Sequence, residues 1–135
     1  MNSRVVVTAY IEQDGKVLLV KKKAGVGPYP DTWHLPGGGV NLGDESIDDA
    51  IKREVKEETG LDVKNIERIV FDEDFEPDKN SEMTHYIFLI YKMTANSFKA
   101  IAADDIVELK WVDRKELKDL PLPRPLIKQI SEGLL

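Results

Sequence analysis

Residues 35–61 read Leu-Pro-Gly-Gly-Gly-Val-Asn-Leu-Gly-Asp-Glu-Ser-Ile-Asp-Asp-Ala-Ile-Lys-Arg-Glu-Val-Lys-Glu-Glu-Thr-Gly-Leu, a glycine-rich turn running directly into an amphipathic segment. From about Glu45 to Thr59 the pattern predicts a helix, with Asp44 or Ser46 as N-cap and Gly60 as its C-terminal stop. Counting about 100° per residue from Ile47, the side chains of Ala50, Ile51 and Val55 define a core-facing arc. Asp48, Asp49, Lys52, Arg53, Lys56 and Thr59 fill the opposite arc, as a solvated face should. Glu54, Glu57 and Glu58 break the pattern: at roughly 340°, 280° and 20° they interleave with the apolar residues.

Three ionised carboxylates crowded against a core are each desolvated and repel one another, so protonation, cationic partners or a metal must relieve them. Arg53 alone cannot neutralise three. Carboxylate oxygens are the ligands that Mg²⁺ and Mn²⁺ prefer, and positions i, i+3 and i+4 share one helical face. The three glutamates therefore nominate a divalent-cation site. The preceding Gly37-Gly38-Gly39 lets backbone approach a ligand closely and offers it carbonyl or amide groups.

Outward from this stretch, Arg4–Ile11 and Lys16–Val20 flank Asp14-Gly15 and predict a β-hairpin. Residues 24–31 are turn-formers and predict an exposed loop leading to Trp33. Ile66–Phe71, Met83–Met93 and Ile106–Val112 read as strands, with an acidic connection between the first two. Arg114–Leu120 reads as a short helix and Pro123–Leu135 as a closing one. Only one connection carries a long helix fit for a parallel crossover, so the expected class is α/β, a mixed sheet between helices. The 135 residues suit a single domain, 1–135.

The chain has no cysteine, which removes disulfides, thiolate metal sites and thiol nucleophiles and suits a cytoplasmic location. No charged-then-apolar leader and no apolar run of membrane-spanning length occurs, so no membrane partner is expected. A net charge of −6 argues against a stable nucleic-acid complex. An acidic protein can still hold phosphates through bound cations.

Gly39, five residues, Glu45, seven residues, then Arg53-Glu54-Val55-Lys56-Glu57-Glu58-Thr59-Gly60-Leu61 matches the signature of the Nudix hydrolases at every fixed position. The nine specified positions would coincide by accident with a probability below about one in a million. Trp33-x-Leu35-Pro36-Gly37-Gly38 before the signature, and Trp111-Val112-Asp113 with Glu116-Leu117 after it, resemble the family's flanks. The resemblance implies the Nudix α/β/α sandwich, Mg²⁺ or Mn²⁺ as cofactor, and hydrolysis of a nucleoside diphosphate linked to another moiety. It implies Glu57 and Glu58 as principal metal ligands, Glu54 as a further ligand or the base, Gly39 as a carbonyl ligand, and Arg53 as the group orienting the carboxylates. Counted from Leu35-Pro36 the motif glycine is Gly38 instead, because Asp44 intervenes before Glu45.

Within the family, small size and the run Gly37-Gly38-Gly39-Val40 resemble the small nucleoside triphosphatase branch, similar to MutT, which includes enzymes for pyrimidine deoxynucleotides. An ADP-ribose, sugar-nucleotide or dinucleotide substrate is the alternative, and a non-catalytic nucleotide-binding module the alternative of another class. The expected partner is a small-molecule nucleotide, and a homodimer is compatible with the sequence. Lys22, at a strand end, is a candidate for substrate phosphates, and Tyr29 and Phe75 for stacking on a base. Asp105, with its neighbour Asp104, is a candidate acidic residue from a later loop. Asp72-Glu73-Asp74-Phe75-Glu76-Pro77 is no calcium loop, since proline stands where the turn needs glycine. His34 and His85 lack partners at ligand spacing.

Overall fold

The computed structural model describes all 135 residues. The elements run β1 (Asn2–Gln13), β2 (Lys16–Lys22), β3 (Gly37–Gly39), α1 (Ile47–Thr59), β4 (Val63–Pro77), β5 (Met83–Ala95), β6 (Ile106–Asp113), a 3₁₀ turn (Arg114–Asp119) and α2 (Arg124–Ser131). The hairpin forms as its turn residues require: Asp14 and Gly15 both take positive φ, and Gln13 pairs with Lys16. The strands follow the order β4-β5-β1-β2-β6, with β3 on β1. β1 and β5 are parallel and the remaining pairs antiparallel, which makes the sheet mixed.

Alternation along β1 and β5 gives the sheet two apolar faces, and each is covered by a different helix. On one, Ala50, Ile51 and Val55 of α1 pack on Val7, Ala9, Ile11, Tyr91 and Met93. On the other, Leu126 of α2, with Leu117 and Leu122, packs on Tyr10, Leu19, Tyr86, Phe88 and Ile90. Each fully buried aliphatic side chain contributes about 1.5–3 kcal/mol, so both helices are held mainly by these stripes. The α/β/α sandwich expected from the sequence is the architecture observed.

Ser46 caps α1 by accepting from the Asp49 N–H, and Gly60 closes it in the left-handed region. Thr59 departs from the solvated arc assigned to it and is fully buried. Its Oγ1 donates to the Val55 carbonyl at 2.7 Å, and its own carbonyl accepts from the Ile101 N–H at 3.0 Å. The chain beyond β5 thus covers that side of the helix end. The acidic connection expected between two strands is itself strand: β4 continues to Pro77, with Asp72, Asp74 and Glu76 turned toward α2.

Candidate active site

β1 and β2 pair only beside their turn and then part, and the Gly37–Gly39 strand occupies the gap by pairing with Val6–Thr8. Nothing larger fits there. A Cβ on Gly37 would collide with the Val7 carbonyl oxygen, and one on Gly38 would sit 2.7 Å from the Glu54 carboxyl group. The bare strand leaves room for the glutamates of α1 to reach a cavity of about 520 Å³ lined by Lys22, Tyr29, Gly37–Gly39, Glu54, Glu58, Asp104 and Asp105, among others.

Glu54 and Glu58 are buried despite their charge, 9% and 3% exposed. Glu58 accepts from the Gly37 N–H at 2.8 Å, yet burial pushes its carboxyl up to about 7, with the Lys22 ammonium pulling the other way. Burial raises Glu54 as well, against the opposing pull of Arg53. Glu57 does not share this environment. Its side chain is 46% exposed and meets the Arg53 guanidinium at 3.3 Å, so the crowding against the core expected from the helical wheel holds for two glutamates of the three.

Arg53 ties the cluster together. Its Nε and Nη2 each donate to Glu45 at 2.8 Å, Nη1 donates to Glu54 at 2.9 Å and to Glu57 at 3.3 Å, and Nη2 reaches the Gly39 carbonyl at 3.3 Å. The hydrogen bonds from Arg53 hold the Glu45 carboxyl down at about 2. Glu45 thereby fixes the guanidinium that pairs with Glu54 and Glu57. The eight-residue spacing of Glu45 from Arg53, about two turns, is the signal for this pair in the sequence.

The NUDIX domain matches residues 2–131. The chain belongs to the Nudix family. A nucleoside triphosphatase NudI from Escherichia fergusonii is 32% identical over the whole of both chains. The crystal structure of a MutT NUDIX hydrolase from Burkholderia pseudomallei superposes with a TM-score of 0.74 at 27% identity, covering 99% of this chain and 97% of that one. A bifunctional NMN adenylyltransferase/ADP ribose pyrophosphatase from Francisella tularensis matches at 27% identity and a TM-score of 0.68, covering 98% of this chain and 42% of that one. The chain is a Nudix pyrophosphohydrolase.

In this Nudix chain the carboxylates Glu54, Glu57 and Glu58 are not gathered around one point, and no group of three acidic or histidine side chains is preassembled for a metal. The donor set nevertheless fits a hard cation. It is all oxygen, burial raises the pKa of two of its carboxyls, and Arg53 bonds both Glu54 and the Gly39 carbonyl.

The other sequence candidates divide. Lys22 lies in the cavity, donating to the Gly37 carbonyl at 3.2 Å, rather than on a solvated edge. Asp105 and Asp104 line its mouth. Tyr29 forms part of the wall, its hydroxyl donating to Asp74 at 2.6 Å and its ring 6.4 Å from that of Phe88. Phe75 is not brought to the cavity: it is half exposed on β4 and stacks on His85 at 4.4 Å, because alternation turns it to the face opposite Asp74 and Glu76. His34 donates or accepts near Thr32 at 3.0 Å, and burial lowers its pKa to about 4. Arg4 was missed. Its guanidinium lies against Gly39, where a Cβ would strike it, and it lines the cavity. No helix of the chain is long and apolar enough to cross a membrane.

Proposed function

We propose that this Nudix enzyme hydrolyses a nucleoside triphosphate to the nucleoside monophosphate and pyrophosphate, with Mg²⁺ or Mn²⁺ held by Glu54, Glu57, Glu58 and a carbonyl of the glycine strand. The observation that carries the reading is the pair of buried carboxyls, Glu54 and Glu58, opening from one helix into a nucleotide-sized cavity. The NudI relative supports a triphosphate as substrate. When bound, the cation neutralises phosphate oxygens and acidifies the attacking water. Glu54, whose ion pair with Arg53 favours its ionised form against the opposing effect of burial, accepts the proton from that water. Lys22 contributes a positive charge to the leaving phosphates. Glu58, held by the Gly37 N–H, fixes the far side of the site.

A diphosphate-linked sugar nucleotide is the second reading, favoured by the similarity to the ADP ribose pyrophosphatase. Incubation with Mg²⁺ and a panel of nucleoside triphosphates, nucleotide sugars, dinucleotides and capped RNA, with product identification, separates the two. Monophosphate and pyrophosphate from a triphosphate support the proposal. Cleavage confined to sugar nucleotides selects the second reading, and no cleavage of any substrate refutes both.

A further inference from the structure

The strand registers set Gly39 of β3, Val6 of β1, Phe88 of β5 and Asp72 of β4 in one row across the sheet. At about 4.8 Å per strand, Asp72 stands roughly 14 Å from the glycine beside the glutamates. That is about the reach of a nucleoside monophosphate extended from its phosphate to its base edge. Val6 and Phe88 form an apolar floor between the two ends, and Leu126 and Pro125 of α2 close over it.

At the Asp72 end, one polar side chain is almost wholly buried yet lines the cavity: Gln129 of α2, 2% exposed. Its Nε2 donates to Asp72 Oδ2 at 3.3 Å, while Lys128 approaches the other carboxylate oxygen at 3.5 Å. The amide orientation is therefore set, because turning it over would oppose two acceptors. No protein donor serves Oε1, which leaves it as a fixed acceptor facing the cavity. A ligand donor at Oε1 takes the place of cavity water, whereas a ligand acceptor there would be set against a fixed oxygen.

We infer that Gln129 reads the nucleobase, accepting through Oε1 from an exocyclic amine, and that Asp72 is the positioning residue that holds its amide for this. The inference rests on the nucleotide reading of the cavity given above. Cytosine and adenine carry such an amine. Uracil and hypoxanthine, nearly the same in shape, carry a carbonyl at the corresponding position and would set acceptor against acceptor.

The test is calorimetric titration of the Mg²⁺-loaded protein with cytidine against uridine monophosphate, and adenosine against inosine monophosphate. Within each pair the amine-bearing nucleotide is expected to bind about tenfold more tightly. Gln129→Met, which keeps the length of the side chain and removes the acceptor, should bring both ratios toward one. Asp72→Asn, which leaves Gln129 in place but no longer fixes its amide, should also lower them; thermal denaturation checks that each variant folds. Equal binding within the pairs by the wild type, binding of none of the four, or ratios unchanged in Gln129→Met would overturn the inference. Because binding is read without turnover, failure of triphosphate hydrolysis would refute the proposed reaction and not this site.

Discussion

In protein freed of divalent cations by a chelator, Glu58→Gln should increase stability at pH 8 while leaving it little changed at pH 4.5. Glu58 is 3% exposed, and burial lifts its carboxyl from 4.5 to about 7. Between those values the folded chain holds a proton that the unfolded chain has released, so stability contributed by this group falls as pH rises through the window and the loss is complete above it. At about 1.4 kcal/mol per pH unit, the interval amounts to about 3 kcal/mol. Glutamine escapes the loss, and its side-chain oxygen can still accept from the Gly37 N–H. His34 acts in the opposite sense. Its pKa is lowered from 6.5 to about 4, so its contribution is lost on acidification and restored as pH rises through that range. The two effects oppose each other in the wild type, and the difference between wild type and variant isolates Glu58. Urea unfolding followed by the fluorescence of Trp33 and Trp111, from pH 4.5 to 8, measures that difference. A gap that stays constant across the range would refute the account of Glu58 as a carboxyl kept unstable by burial. Mg²⁺ added at pH 8 should stabilise the wild type more than the variant.

Other substitutions probe the frame around that carboxyl. Gly38→Ala places a methyl 2.7 Å from the Glu54 carboxyl group, the far end of a flexible side chain; kcat should fall by about tenfold or more with little change in melting temperature. Gly37→Ala meets backbone that cannot swing aside, the Val7 carbonyl and the Thr8 Cα at 2.8 Å, and a loss of about 3 kcal/mol or more should lower the melting temperature by about 10 °C. Arg53→Met removes the cation paired with buried Glu54. Its carboxyl should then ionise only at higher pH, and the acidic limb of the pH–rate profile should move upward.

The helix was legible because its signals are local: Ser46 and Gly60 supply caps, and a 3.6-residue period places Glu54 and Glu58 beside Ile51 and Val55. Glu57 was misplaced because the edge of the apolar arc is broad and a long side chain there can turn outward to Arg53. Thr59 was misplaced for the converse reason, since residues near Ile101, distant in sequence, cover it. The extent of β4 was hidden by Asp72, Asp74 and Glu76. Those charges sit within a strand because Arg124, Lys128 and Gln129 arrive from α2 to meet them. Arg4 and Gln129 had no readable signal at all, because each acquires its meaning only from the strand or helix set opposite it by the sheet.

If the glutamates of α1 hold the cation that cleaves the phosphate linkage, Glu57 is the one to remove, because it is 46% exposed with one ion pair and its loss disturbs the fold least. The direct measurement is pyrophosphate release from a cleaved nucleoside triphosphate at saturating Mg²⁺ by wild type and Glu57→Gln. A loss of about a hundredfold or more with an unchanged melting temperature is expected; turnover near that of the wild type would overturn the assignment of Glu57 to the cation.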